Sequence, residues 1–356
     1  MEYKHLNGNG LKIGAAIEGE GPLIVLVHGW PESWYSWRHQ IPFLASLGYK
    51  VAAIDVRGYG QSDKPYEISE YSMKNLTSDV ISVIEDLGYS DAILFGHDWG
   101  APIVWNTAAL YPDKISAVGA LSVPYTGRGP MSSIDLWKML YKGKFFYQLY
   151  FQEEGVAEEE FEKDLKNALE LTYFSSDGRG MSFLAENADN PKYQKNVNSK
   201  FLDCLPAFDD YPDWINKEEL MFFVKEFENS GMRGPLNRYR AQTIDYEELV
   251  ELETAKISQP SCFISGTLDP VAFFLKNSIE DGAGKGAFHG PTAESMAKEM
   301  LEKRSDLYED LQIVKFIDGV GHWTQQEAPD IVNENFKKFL KGLYCLLYTS
   351  PSPRDL

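Results

Sequence analysis

The sequence has few cysteines, no long apolar run and no recognisable secretion signal. Cys204, Cys262 and Cys345 are the only cysteines among 356 residues, and so small and scattered a set favours a reduced, cytoplasmic protein. The apolar run at Leu23–Val27 is far shorter than the ~20 residues that span a membrane. No basic segment followed by an apolar stretch follows Met1, so we expect no cleaved signal. These absences argue against a disulfide-stabilised secreted domain and against a membrane protein.

Positive charge is also scarce. The chain carries 34 lysines and arginines against 53 aspartates and glutamates, a formal net charge of −19. A surface of this sign repels the phosphates of nucleic acids and of anionic lipids, so we expect neither as a partner. Charged residues make up 24% of the chain and aromatic residues 13%, which argues against a disordered protein. A chain of this length buries roughly 75% of its unfolded surface and needs no metal or disulfide to fold.

The first third of the chain alternates short apolar runs with a helical pattern. Residues 23–27, 51–54 and 92–95 are wholly apolar, which is typical of strands covered on both faces of a parallel sheet. Between the last two runs, apolar residues recur at helical spacing over residues 74–87, and Gly88 follows where a helix ends. Strand, helix and strand in this order predict an α/β domain.

The middle of the chain shows aromatic-rich helical patterns in place of strand-like runs. Strand-like runs resume at residues 261–265 and 311–317, and residues 330–340 predict a closing helix. We therefore expect one sheet, built from residues 1–125 and 255–344 and interrupted by a helical cap of residues 126–254. Two helical stripes are predicted in the cap: Phe161, Leu165 and Leu169, and Leu220, Phe223, Val224 and Phe227.

The last residues differ in character from the rest. Residues 345–355 read CLLYTSPSPRD, and one choice of codons for this string reproduces the transposase adapter of sequencing-library preparation. We therefore expect residues 345–356 to be an assembly artefact or a disordered tail, outside the fold prediction. Pro351 and Pro353 disfavour a helix there.

The segment Gly96-His97-Asp98-Trp99-Gly100 carries the strongest chemical signal. It follows a predicted strand and opens a predicted helix in the pattern Gly-x-nucleophile-x-Gly, the sharp turn called a nucleophile elbow. The central residue of this turn is strained, so its neighbours two positions away must be nearly free of side chain, as Gly96 and Gly100 are. An ordinary turn aspartate is the alternative interpretation.

An aspartate at this position restricts the chemistry. A carboxylate is ionised at neutral pH and attacks a saturated carbon without prior deprotonation. The product is an ester that water can cleave, whereas a serine would form an inert ether. Asp98 therefore favours substrates that lose a leaving group from an alkyl carbon, which are epoxides or alkyl halides.

Four more motifs, in the same order along the chain, resemble those of the epoxide hydrolases. This resemblance extends from about Gly10 to Gly342 and implies an α/β-hydrolase core, with a mostly parallel sheet flanked by helices and a helical cap. It also implies that His322 activates water and that Asp269 orients this histidine. The four motifs are HGWPE at 28–32, DVRGYGQS at 55–62, SGTLDP at 265–270 and HWTQQE at 322–327.

The resemblance further implies an oxyanion hole made by the backbone N–H groups of Trp99 and Trp30. Pro31 has no N–H, which leaves Trp30 as the donor on its loop, and we expect a cis bond before this proline. Glu32 either steadies the loop or is a solvated carboxylate. We expect His28 and His97 to shape their own loops.

Opening an epoxide requires a proton donor for the developing alkoxide, and the family supplies two tyrosines from its cap. The segments YQLYFQ at 147–152 and RGPLNRYR at 233–240 resemble these cap motifs and place the two donors at Tyr147 and Tyr239. Tyr150 is the alternative within the first segment, although any single tyrosine of the 20 in the chain can serve packing alone.

Two other functions stay open. Haloalkane dehalogenases share the aspartate elbow, but they commonly place asparagine where this chain has Trp30. Fluoroacetate dehalogenases carry arginine where it has Trp99. A haloalkane or haloacid dehalogenase is therefore the second hypothesis, and a non-catalytic binding protein is the third. We expect no cofactor and no metal, because no histidine pair has His-Glu-x-x-His spacing. The expected partners are a small-molecule epoxide and water, with a homodimer left open.

Asp269 and His322 lie 53 residues apart, a wider spacing than the resemblance leads us to expect. The additional segment spans about residues 280–307. Within it, the glycine run at 282–286 predicts a flexible loop and His289 a surface position. Met296, Met300 and Leu301 predict an added surface helix. Should this segment displace the acid loop, Asp269 is the assignment that fails.

Overall fold

A computed structural model describes residues 1–271 and 293–349, and its described strands form one eight-stranded sheet. The strand order is β1-β2-β4-β3-β5-β6-β7-β8. β2 is antiparallel to both its neighbours, and the strands from β4 to β8 are parallel. The strands are β1 (Glu2–Gly8), β2 (Leu11–Glu18), β3 (Leu23–Val27), β4 (Lys50–Ile54), β5 (Ala92–His97), β6 (Ile115–Leu121), β7 (Ile257–Gly266) and β8 (Tyr308–Ile317).

Helices cover both faces of the sheet, as a parallel sheet requires. α1 and α14 pack on one face, where the rings of Phe95 and Phe336 stack at 3.9 Å, and α2 and α3 pack on the other. None of the described helices is long and apolar enough to cross a membrane. The core helices are α1 (Gln40–Ser46), α2 (Met73–Asp86), α3 (Gly100–Leu110), α12 (Ala293–Arg304), α13 (Thr324–Glu327) and α14 (Pro329–Thr349).

The chain between β6 and β7 forms helices and irregular loops. β6 pairs with β7 in parallel, so the two parts of the chain rejoin in one sheet as predicted. The domain boundaries themselves stay a prediction. The intervening helices are α4 (Ser133–Leu140), α5 (Tyr147–Tyr150), α6 (Val156–Glu162), α7 (Leu165–Ser176), α8 (Gly178–Glu186), α9 (Lys217–Ser230), α10 (Arg233–Arg240) and α11 (Gln242–Glu248).

One of the two predicted stripes in this region was wrong. Phe161 lies on α6, whereas Leu165 and Leu169 lie on α7. The helix restarts because the Asp164 carboxylate accepts the N–H of Asn167 at 3.1 Å, which is an N-cap. The other stripe is confirmed, since its four residues are the buried residues of α9.

The predictions for the additional segment and the tail have mixed outcomes. α12 forms as a helix, with Met300 packed against Phe263 and Phe316, while the predictions for the glycine run at 282–286 and for His289 lie outside the described residues. Residues 345–349 continue α14, and the interpretation of residues 345–356 as an assembly artefact or a disordered tail stays a prediction. No proline interrupts the helix before Pro351, which also lies outside the described residues.

Helix α9 meets the core through a buried carboxyl. Glu226 faces Asp55, Tyr3 and Lys64, and its Oε2 atom is buried without a hydrogen-bond partner. Burial and the Asp55 carboxylate raise the pKa of Glu226 to about 7, against the lowering effect of Lys64. The carboxyl is therefore neutral in the folded protein at mildly acidic pH.

We predict that Glu226→Gln stabilises the protein more at pH 8 than at pH 5. The folded-state pKa lies above the ordinary value of 4.5, so the folded state holds an extra proton between these two values. The stability that this group contributes is complete at low pH and is lost as the pH rises through 7. Thermal melting should show a gain of a few degrees at pH 8. Glu228→Gln, on the exposed face of the same helix, is the control, and an equal gain at both pH values would contradict the prediction.

Candidate active site

Asp98 lies in a tight turn between β5 and α3. Its φ is +49°, in the left-handed region that non-glycine residues rarely adopt. A Cβ on Gly96 would lie 2.2 Å from the Gly100 carbonyl oxygen, and one on Gly100 would lie 2.0 Å from that of Val27. The prediction that both positions must lack side chains is therefore confirmed, and the turn presents Asp98 at the carboxyl end of the sheet.

The loop after β3 binds one oxygen of this carboxylate. Because β3 and β5 are neighbours, their loops meet, and the Trp30 N–H donates to Asp98 Oδ1 at 2.7 Å. A Cβ on Gly29 would lie 2.4 Å from the Cβ of Asp98, so only glycine allows this approach. The Trp30–Pro31 bond is cis, which confirms that prediction.

The loops after β7 and β8 bring Asp269 and His322 to the same place. His322 Nδ1 lies 3.1 Å from Asp269 Oδ1, and His322 Nε2 lies 3.4 Å from Asp98 Oδ2. Asp269 is fully buried and also accepts the N–H of Val271 at 2.9 Å. The additional segment between the two loops thus leaves Asp269 beside His322. The catalytic roles of all three residues stay predictions.

His322 is buried between two carboxylates. Burial lowers its pKa, but Asp269 and Asp98 outweigh burial and hold the pKa well above the ordinary value of 6.5. The resting site therefore favours the protonated, cationic imidazole, in which each ring nitrogen faces one carboxylate.

Ser122 is a site residue that the sequence reasoning missed. Its hydroxyl lies 3.2 Å from His322 Nδ1, and its φ is +71°. It follows β6 directly, the strand between β5 and β7 in the sheet. A prediction of β6 would have placed the residue after it at the same edge as Asp98 and Asp269.

A buried network of hydrogen bonds connects the loops that carry the site residues. His97 faces Glu32 Oε2 with Nδ1 and the His322 carbonyl oxygen with Nε2, each at 2.7 Å, so both ring nitrogens donate. Glu32 also accepts from the Gly29 N–H at 2.9 Å and from Gln325 at 3.0 Å. Burial raises the pKa of Glu32, but the His97 ring lowers it to about 2. Of the two alternatives for Glu32, the one in which it steadies the loop is correct.

His28 shapes its own loop as predicted. Its Nε2 accepts the Val56 N–H at 3.0 Å, and its Nδ1 donates to the Gly29 carbonyl at 2.8 Å. Burial lowers the pKa of this imidazole, which fits the neutral form that such bonding requires.

Tyr147 on α5 and Tyr239 on α10 lie beside each other, close enough to Asp98 for its charge to act on both phenols. Their ring centroids lie 5.9 Å apart, and the Tyr239 ring lies 5.3 Å from that of Trp99. Burial raises the pKa of both phenols, and the Asp98 carboxylate raises it further, so both keep their protons at neutral pH. Tyr150 instead donates to Glu160 at 2.8 Å.

The described part of the chain contains no candidate metal centre. Among residues 1–271 and 293–349, no three or more His, Cys, Asp or Glu side chains are grouped as metal ligands would be. Cys204 and Cys262 are both free thiols, and burial raises the pKa of Cys262.

An aspartate elbow at the carboxyl end of this sheet, with a histidine and an acid from the last two strands, defines an α/β hydrolase. A family model described as the alpha/beta hydrolase fold matches residues 22–273. "Epoxide hydrolase A" of Mycobacterium tuberculosis is 37% identical over 95% of this chain and 96% of its own length. "Epoxide hydrolase B" of the same organism is 34% identical over 96% and 98%.

Solved structures give the same result. The structure titled "Epoxide hydrolase from an endophytic Streptomyces" superposes with a TM-score of 0.85 at 37% identity and covers 96% of both chains. Epoxide hydrolase A from Mycobacterium thermoresistibile superposes with a TM-score of 0.80 at 35% identity, over 96% of this chain and 98% of its own. The chain belongs to the epoxide hydrolase family of α/β hydrolases.

Proposed function

We propose that this enzyme hydrolyses small-molecule epoxides to vicinal diols through a covalent ester on Asp98. One observation carries the proposal. Asp98 Oδ1 is bound by the Trp30 N–H at 2.7 Å, as the carbonyl oxygen of an ester would be, while Oδ2 lies on the His322 side. The two oxygens of the carboxylate thus have different environments: Oδ1 is placed for stabilisation by an N–H group, and Oδ2 is free to react.

In the first step, Asp98 Oδ2 attacks one carbon of the epoxide ring. The bond from that carbon to the ring oxygen breaks, and the developing alkoxide takes a proton from Tyr147 or Tyr239. Their raised pKa keeps both hydroxyls protonated until the alkoxide forms. The product of this step is a hydroxyalkyl ester of Asp98 and a tyrosinate.

In the second step, His322 takes a proton from water, and the resulting hydroxide attacks the ester carbon of Asp98. The N–H groups of Trp30 and Trp99 stabilise the negative charge on Oδ1. Cleavage of the bond between the ester carbon and Oδ2 releases the diol, to which His322 returns the proton. The other proton of the water, left on the new Asp98 carboxyl group, passes to His322 and restores the cation of the resting site.

The first step prepares the histidine for the second. Asp98 is one of the two carboxylates that raise the pKa of His322, and esterification removes its charge. The pKa of His322 therefore falls when the ester forms. The imidazole then gives its proton to the tyrosinate, which restores the tyrosine, and is left as the base that the second step needs. No metal or cofactor takes part in either step.

Assays with styrene oxide and with 1-bromobutane test the proposal. We expect diol from the first and no bromide from the second. Bromide release without diol would establish the dehalogenase alternative, and no reaction with a panel of terminal, aryl and fatty-acid epoxides would support a binding protein. Purified Asp98→Ala serves as the control for background hydrolysis.

The cellular setting is a further proposal. The unpaired Cys204 and Cys262 support a cytoplasmic enzyme. A homodimer is a hypothesis that light scattering of the purified protein tests directly.

A further inference from the structure

Phe201 lies beside Trp30, whose backbone N–H binds Asp98, and beside the proposed proton donor Tyr147. Its ring centroid is 5.5 Å from that of Trp30, in an edge-on contact, and 6.2 Å from that of Tyr147. Behind it, Phe151 at 5.1 Å and Phe161 at 5.4 Å are fully buried. Phe201 itself is only half-buried.

Neither a helix nor a strand holds Phe201 in place. The residue lies in an irregular loop, and Lys195 binds the carbonyl side of this loop. The Lys195 ammonium donates to the carbonyl oxygens of Phe201 at 2.6 Å and Lys200 at 3.5 Å, and also to that of Asp203. The Lys195 ammonium thus binds three carbonyl oxygens of the loop that contains Phe201.

Glu160 on α6 binds the other side of the same loop. Its carboxylate accepts the N–H of Phe201 at 3.2 Å and that of Leu202 at 2.9 Å. It also accepts the Tyr150 hydroxyl at 2.8 Å, on the short helix α5 that carries Tyr147. The loop and the helix of a proposed proton donor therefore share one anchor.

We propose that Phe201 is a specificity-determining residue that forms a wall of the epoxide pocket, and that Lys195 and Glu160 are positioning residues that fix it. The inference rests on the proposed epoxide hydrolysis. Hydrogen bonds to charged groups are stronger than neutral ones, and here they act on both sides of one peptide segment. They offset the conformational entropy that an irregular loop would otherwise keep. A fixed ring excludes substituents that would occupy its space.

The test compares kcat/KM for trans-stilbene oxide with kcat/KM for 1,2-epoxybutane. In Phe201→Ala the ratio of the two values should rise about 10-fold or more, because removing the ring makes room for the larger substituent. Phe201→Leu should give a smaller rise. Phe183→Ala, a half-buried phenylalanine that packs on Tyr193 and Phe208, is the matched control and should leave the ratio unchanged.

The positioning role requires its own comparison. Lys195→Met removes the charge but keeps the length of the side chain, and it should raise the same ratio, mainly through KM. Lys195→Arg keeps the charge and should restore most of the selectivity. If Lys195 acts through the ring, the double variant Lys195→Met/Phe201→Ala should have the ratio of Phe201→Ala alone.

Two results would overturn the inference. The first is a ratio within twofold of the wild type in both Phe201→Ala and Phe201→Leu, with melting curves that show both variants folded. This result would show that Phe201 does not line the pocket. The second is an additive effect of the two substitutions on this ratio in the double variant, which would show that Lys195 does not act by positioning Phe201. If the wild type forms no diol from any epoxide, the proposed function itself fails, which is a different outcome from diol formation with unchanged ratios.

Discussion

His322→Gln is expected to stop turnover after the first step and to accumulate the ester on Asp98. Attack by the carboxylate does not need the imidazole, whereas activation of water does. Loss of a general base lowers a hydrolytic step by about 10²–10⁴-fold. After reaction with styrene oxide, mass spectrometry should find the mass of the epoxide added to the peptide that contains Asp98.

The double variant Asp98→Ala/His322→Gln is the control for this experiment, because it keeps the same histidine change but lacks the nucleophile. It should carry no adduct. An unmodified Asp98 peptide in His322→Gln, with an epoxide that the wild type turns over, would contradict the proposed order of steps. An adduct on another residue would do the same.

Replacement of both Tyr147 and Tyr239 with phenylalanine is expected to lower kcat/KM for an epoxide by about 10⁴-fold. Each single replacement should cost about 10–100-fold, since the remaining phenol still donates. The loss belongs to ring opening, so rapid quenching should show slower formation of the ester. Its hydrolysis should be less affected.

Tyr150→Phe distinguishes a catalytic phenol from a nearby one. Tyr150 lies on the same short helix as Tyr147, but its hydroxyl donates to Glu160. We expect its removal to change ring opening less than either of the other replacements. Full ester formation in the double variant Tyr147→Phe/Tyr239→Phe would show that these two phenols are not the donors.

The central strands could be predicted from the sequence because they are buried on both faces. β3, β4 and β5 contain the three short apolar runs of the prediction, and their bounds differ little from it. β1, β2 and β6 were not predicted. β1 lies at the edge of the sheet and mixes polar with apolar residues, while β6 contains alanine and glycine, which favour strands only weakly.

The candidate site was predictable where a short motif fixes both a residue and its loop. Asp98, Trp30 and His322 lie in such loops, and the sheet brings the loops together. Ser122 and Phe201 have no such signal. Ser122 lies beside His322 because it follows β6, a strand that was not predicted. Phe201 lies in an irregular loop whose position depends on contacts with the side chains of Lys195 and Glu160.

A single turnover in heavy-oxygen water tests most directly whether catalysis passes through an ester on Asp98. With enzyme in excess over epoxide, the hydroxide attacks the carbon of the ester, and the diol leaves with an oxygen that belonged to Asp98. We predict that the diol of this first turnover is unlabelled and that the peptide containing Asp98 gains the heavy oxygen. Heavy oxygen in the diol after one turnover, with an unlabelled peptide, would mean that water attacks the epoxide directly, and it would contradict the account.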